Sequence, residues 1–438
     1  MIKRLLTFSF LAVTISANAQ TINKAKLDSL LDVLAANNKT MGSLAISKDG
    51  KVVYQKSVGY SSIEAKTVAN AQTKYRIGSI SKVFTGVIIF QLIEEKKLTL
   101  ETTLDKYYPQ MPNAAKITIA QMLSHHSGMF NSTNDPAIAT YMTTSLTHEQ
   151  LLAKMASFKP DFEPGAKYEY SNTNFILLGY IIEKITGKPY AEVVKKRIID
   201  KLGLKETFYG GKINAAANEA HSYNYAGSWK LLPEIDMTLA AGAGGMVSSP
   251  TDLDKFIEAL FAGKLISAAS LEQMKPTTEK YGMAMHKMPI TDKAGLGHGG
   301  AIDGFLSSLA YFPADKLAVS YIKNGGFYSP DNILAGVLSI YFNKPYTIPS
   351  FTTAKAGDLD QYTGIYASPG LPIKITITKE GSSLIAQATG QSAFPLDATT
   401  TADKFVFDAA GVVMEFSPAT SQFTLKQGGG QFVFTKEK

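Results

Sequence analysis

Tyr75-Arg76-Ile77-Gly78-Ser79-Ile80-Ser81-Lys82-Val83-Phe84 opens a long apolar stretch and places a serine and a lysine three residues apart. Residues i and i+3 share one face of a helix. A serine in the first turn also has free backbone N–H groups and the helix dipole beside its oxygen. Lys82 lies among Val83, Phe84, Val87, Ile88 and Ile89. Loss of water lowers a lysine pKa, so this amine can take the proton of the serine hydroxyl. The bland alternative is a helix-capping serine with a snorkelling lysine. A second match, Ser320-Tyr321-Ile322-Lys323, falls in a β-branched and aromatic run that reads as a strand. Side chains i and i+3 point to opposite faces there, so only the Ser79 copy has workable geometry.

Working outward, Leu27, Leu30, Leu31 and Leu34 recur at helical spacing. Ser43–Ile46 and Lys51–Tyr54 flank Asp49-Gly50, a strong hairpin signal. The Ser79 helix is predicted to run to about Lys97, and residues 104–240 read as mixed and mostly helical. Ser249-Pro250-Thr251-Asp252 starts another helix, with serine as cap and proline in the first turn, ending near Gly263. A β-region begins near Leu296, with alternation over Phe305–Phe312 and Leu317–Ile322, before a helix from Asp331 to Phe342. The pattern predicts an α/β domain: an antiparallel sheet flanked by helices, with an all-helical insertion. Residues 344–357 read as a linker. Beyond it, short alternating runs at Ile373–Thr378, Leu384–Ala388, Phe405–Phe407, Val412–Phe416, Phe423–Leu425 and Phe432–Phe434 predict a small all-β barrel or sandwich over residues 358–438. That tail has no histidine and reads as a packing or gating module.

Lys3 and Arg4, the apolar stretch Leu5–Ile15 and Ala17-Asn18-Ala19 read as a signal peptide over residues 1–19. That segment is too short to span a bilayer. The expectation is a secreted or periplasmic chain with its larger domain at residues 20–343. Cysteine is absent, which excludes disulfides, zinc–thiolate sites and cysteine nucleophiles. The net charge of +7 includes Lys3 and Arg4, and no basic run exceeds Lys195-Lys196-Arg197. Nucleic-acid binding finds no support. The pattern sets no oligomeric state.

Tyr170-Ser171-Asn172 follows the turn Phe162-Glu163-Pro164-Gly165 and precedes the apolar run Phe175–Ile182. A loop tip before a buried helix suits polar groups aimed into a cleft. The tyrosine hydroxyl can relay protons if cations hold its pKa down. Asn172 offers donor and acceptor to a substrate amide. Capping residues with a surface tyrosine are the plainer reading, and Tyr341-Phe342-Asn343 is a second match at a helix end. In Gly297-His298-Gly299-Gly300-Ala301 the glycines allow close approach to the backbone, and the Ala301 N–H can join that of Ser79 as an oxyanion pair. His126-Ser127-Gly128 also fits His-x-Gly.

Taken in order, Ser-x-x-Lys, Tyr-x-Asn and His-x-Gly resemble the penicillin-recognising serine hydrolases, above all the class C β-lactamase-like group with its DD-carboxypeptidases, D-aminopeptidases and esterases. Met122–Gly128, Phe162–Gly165 and Ala241–Phe256 extend the resemblance over roughly residues 24–343, and the tail resembles a lipocalin-like domain. The resemblance implies that Ser79 is the acylated nucleophile and that Lys82 and Tyr170 exchange its proton. It implies substrate contacts from Asn172, His298, Gly299 and Gly300. His298 replaces the lysine of the Lys-Thr-Gly motif, which weakens the case for a substrate carboxylate and favours D-amino-acid peptides or small esters over β-lactams. The substrate is a small molecule or peptide, with peptidoglycan-derived ones included. No cofactor or metal is implied: His125 and His126 are adjacent, without a carboxylate at useful spacing, and read as structural. The alternatives are a β-lactamase and a penicillin-binding sensor that acylates without turnover.

Overall fold

The computed structural model describes residues 22–290, 292–293, 295–351 and 359–437. The expected signal peptide and residues 352–357 of the expected linker lie outside them. Helix α1 (Lys24–Ala36) leads into the hairpin β1 (Met41–Lys48) and β2 (Lys51–Val58). After a long excursion, during which Tyr223–Ala226 touches the sheet edge-on at Gly325, the chain returns to it with β3 (His286–Met288), β4 (Gly295–Ile302), β5 (Phe305–Phe312) and β6 (Leu317–Gly325). The spatial order is β3-β4-β5-β6-β1-β2, antiparallel throughout this path.

Strand β6 is buried along its whole length because both faces are covered. Leu317, Val319 and Tyr321 pack with Leu27, Leu30 and Leu34 of α1 and with Ile333 and Val337 of the last helix of this domain (Pro330–Tyr341). Ala318 and Ile322 face the other core, shared with helix α2 (Ser81–Glu94) and helix α3 (Pro250–Phe261). Period-2 alternation thus supplies two apolar faces from one strand. Helix α2 is buried from Ser81 to Leu92, as a helix apolar all round must be. Phe84 stacks on Phe256 of α3 at 3.8 Å between ring centroids. Proline at the first turn of α3 and the Ser249 side chain accepting from Asp252 N start that helix where the sequence indicated.

The region between α2 and α3 is mostly helical and also carries short strands at Phe208–Tyr209, Tyr223–Ala226 and Ser228–Leu231. The Ser79 helix differs from expectation at both ends. Gly78–Ile80 is a 3₁₀ turn, α2 begins at Ser81, and it stops at Glu94. Gly78 adopts a positive φ of 51°, which turns the chain sharply into Ser79.

The C-terminal strands close into an eight-stranded antiparallel barrel, sealed by pairing of Tyr366 with Lys436 and Ala367 with Thr435. Two of its strands, Gly364–Ser368 and Phe394–Ala398, were not among the runs read from sequence. Side chains such as Tyr366, Phe405, Phe416, Phe423 and Phe434 fill the interior. The barrel rests on the hydrolase-like domain through a Lys39–Asp397 ion pair and an edge contact of Phe327 with Phe407 at 5.0 Å.

Phe84→Ala removes the ring that joins α2 to α3, and is expected to cost about 3–5 kcal/mol. Denaturant unfolding followed by the fluorescence of Trp229, the single tryptophan, measures this loss. A loss under about 1 kcal/mol would contradict a close-packed site.

Candidate active site

The 3₁₀ turn sets Ser79 three residues before Lys82, which is the second residue of α2 and fully buried. Lys82 Nζ lies 2.9 Å from Ser79 Oγ, 2.7 Å from Asn172 Oδ1 and 2.8 Å from Ala243 O. Burial without a carboxylate partner pushes its pKa well below the usual lysine range. A neutral amine has two N–H groups and one lone pair. The N–H groups satisfy Asn172 Oδ1 and Ala243 O, and the lone pair faces the hydroxyl proton of Ser79. The three neighbours therefore match the deprotonated lysine.

Tyr170 OH donates to Ser79 Oγ at 2.9 Å. Burial raises the pKa of this phenol, and the hydrogen bond to Ser79 offsets only part of that rise. The expectation of a tyrosine held low by cations is therefore corrected: the nearest cationic candidate, Lys82, is itself driven neutral. Tyr170 is thus a neutral donor to the serine oxygen, and Lys82 a neutral amine facing its proton. His125 holds the tyrosine in place. Its ring packs 4.2 Å from the Tyr170 ring, and its Nδ1 accepts from Ser171 N at 3.1 Å.

Asn172 opens the helix Asn172–Thr186, whose cap is supplied from a distant loop, with Asn131 Oδ1 accepting from Asn172 N at 2.9 Å. Ser171 occupies the cap position but makes no capping bond, so the plain helix-cap reading fails for it. Asn172 Nδ2 donates to Thr133 Oγ1 at 3.1 Å. Because Lys82 holds Oδ1, only the amide nitrogen edge is left to face a substrate, not both groups as expected.

His298 is buried on β4, with Nδ1 2.5 Å from Gly299 O and Nε2 3.4 Å from Tyr281 OH. The carbonyl fixes the proton on Nδ1 and leaves Nε2 as acceptor. Burial keeps its pKa well below the ordinary value. His286, 4.6 Å away between ring centroids, is pushed down to about 4 by burial and by Lys82. Neither imidazole carries charge at neutral pH. The sequence reading missed His286 and Tyr281, although the chain has only six histidines and three of them converge here.

The glycines of β4 have distinct reasons. A Cβ on Gly300 would sit 2.0 Å from Ile77 O and 3.0 Å from Ser79 N, so this glycine lets the strand touch the nucleophile turn. A Cβ on Gly78 would in turn sit 2.8 Å from Ala301 N. The amides of Ser79 and Ala301 thus border the same narrow gap. Gly299 has room for a Cβ, with only Ser307 O at 3.6 Å. Strand β3 pairs with β4 only as far as Gly297, so the stretch from Gly299 to Ala301 has no strand partner on that side among the described residues. A cleft of about 470 Å³ opens there, lined among others by Ser79, Tyr170, His286, His298, Gly300 and Asp331.

This fold and this cluster define a class, and comparison with known proteins supplies the family. A model described as Beta-lactamase matches residues 27–338, and the chain belongs to that family. It is 26% identical to a penicillin-binding protein of Bacillus subtilis (strain 168) over 93% of this chain and 98% of the relative. It is 30% identical to the teichoic acid D-alanine hydrolase of Staphylococcus aureus (strain MRSA252) over 54% of this chain. The chain spans about three-fifths of the length of that hydrolase, 58%, and of a second Bacillus subtilis relative described as a “Putative penicillin-binding protein PbpX”, 62%, to which it is 28% identical. Among solved structures, the D-amino acid amidase of Ochrobactrum anthropi SV3 superposes with a TM-score of 0.66 at 26% identity, covering 73% of this chain and 98% of the amidase.

Gly300→Ala is expected to push β4 off the nucleophile turn and lower kcat/KM on an activated ester by about 10²-fold. The far-ultraviolet circular dichroism should not change. Wild-type turnover by this variant would contradict the close strand–turn contact.

Proposed function

We propose that this chain is a serine hydrolase acting through an acyl-enzyme on D-aminoacyl esters, amides or short D-amino-acid peptides. One observation carries the reading: a serine oxygen 2.9 Å from both a neutral, buried lysine and a protonated tyrosine. Lys82 takes the Ser79 proton as Oγ attacks the substrate carbonyl. The N–H groups of Ser79 and Ala301 receive the developing oxyanion. Tyr170, hydrogen-bonded to Oγ, passes its proton to the leaving group as the intermediate collapses, and the Lys82 ammonium returns the Ser79 proton to the Tyr170 phenolate, so both groups regain their starting forms. Water then repeats the sequence on the acyl-enzyme and frees Ser79. The names of the Staphylococcus and Ochrobactrum relatives support a D-amino acid in the acyl position. The N-terminal pattern of Lys3 to Ala19 supports export, with cell-wall material as the source of substrate.

A fluorophosphonate should add its mass to the peptide containing Ser79, and Ser79→Ala should abolish both labelling and turnover. Kinetics on D-phenylalanine amide, a nitrophenyl ester, a D-Ala-D-Ala peptide and nitrocefin rank amidase, esterase, carboxypeptidase and β-lactamase. A stable stoichiometric adduct without turnover would instead favour a sensor.

The pH profile follows from the two groups. Neutral Lys82 is the active form, so kcat/KM falls as pH drops through its lowered pKa and is already at its plateau well below the usual lysine range. Tyr170, with its pKa raised, keeps its proton beyond pH 10 and gives no earlier alkaline limb. An acid limb centred at an ordinary lysine value would contradict the neutral amine.

A further inference from the structure

Asp331 is the one acidic side chain lining the Ser79 cleft among the described residues, and the lining holds no lysine or arginine. It follows Pro330 in the first turn of the helix Pro330–Tyr341, where its backbone N–H donates to Ser329 Oγ at 3.2 Å. Its carboxylate has no side-chain partner among the described residues, and loss of water alone raises its pKa. The segment that carries it is held from three sides. Lys323 Nζ donates to Gly326 O at 2.6 Å and Tyr328 O at 2.9 Å. Tyr328 N donates to Lys39 O at 3.0 Å, and Phe327 packs against Phe407 of the barrel.

The cleft is therefore the electrostatic reverse of a carboxylate-binding site. His298 and His286 are neutral, Lys82 is neutral and spent on its neighbours, and a fixed anion stands in the wall. Resting on the hydrolase reading, we propose that Asp331 determines specificity by binding an ammonium group of the substrate and repelling substrates that carry a carboxylate there. A first-turn aspartate also favours the helix dipole, but that role needs no open cleft and selects no substrate. The ammonium sits either on the acyl part, as in a free D-alanyl ester, or on the leaving group.

Four methyl or aminoethyl esters separate these cases: D-alanine methyl ester, N-acetyl-D-alanine methyl ester, N-acetyl-D-alanine aminoethyl ester and N-succinyl-D-alanine methyl ester. The full chain should prefer one of the two cationic esters over the neutral one by about 10- to 100-fold in kcat/KM, the worth of a charge-assisted hydrogen bond. The succinylated ester should be poorest. Asp331→Asn should level the series while leaving the neutral ester and fluorophosphonate labelling of Ser79 unchanged, and Asp331→Glu should restore part of the preference. An unaltered preference in Asp331→Asn, or equal losses on all four esters, would overturn the proposal while the labelled Ser79 leaves the hydrolase reading standing. Failure of Ser79 to label in the wild-type chain would overturn that underlying reading.

Discussion

The molecule is organised around one amine that has lost its water and gained no counter-ion. Lys82 sits in a helix buried on every side, and its neighbours are two carbonyl-type oxygens and one hydroxyl. Taking an ammonium into such a place costs several kcal/mol, so the group gives up its proton instead. The unfolded chain binds that proton more readily than the folded one. Between the lowered and the ordinary pKa, this residue's contribution to stability therefore grows as pH rises. The apolar helix, the stacked Phe84–Phe256 pair and the two-faced strand β6 hold the amine dry.

Much of this frame was legible in local pattern. The Asp-Gly hairpin, the alternating strands after Leu296 and the Ser-Pro helix start are short-range signals, and each stands where its residues put it. The barrel strand Phe394–Ala398 was hidden by Pro395, which reads as a strand breaker. The structure nevertheless pairs Pro395 with Ile385 of the preceding strand, while pairing with the next strand begins only at Asp397. Ser79 and Lys82 were readable because their meeting depends on three residues of chain.

What escaped the sequence is what depends on distant contacts. His286 and Asp331 come from separate segments, and nothing in their local context announces that both line the Ser79 cleft. The protonation of Tyr170 was misjudged for the same reason, whereas the neutral Lys82 was read from its apolar neighbours. A phenol near a lysine looks as though it should be acidified, yet burial acts on both groups and drives each to its neutral form. The glycine at position 300 was read as space for a ligand, whereas the nearest obstruction to a side chain there is Ile77 O of the nucleophile turn.

The order of the strands has a bearing on biosynthesis. Strand β1 borders β6, and the two are separated by almost the whole hydrolase-like domain, so the central pairing cannot form until Gly325 has been made. The barrel closes later still, because its first strand pairs with its last. Contacts this remote in sequence form slowly. A chain emerging from the ribosome thus carries Ser79 early, but the cleft around it is complete only once the segment through Asp331 has been made.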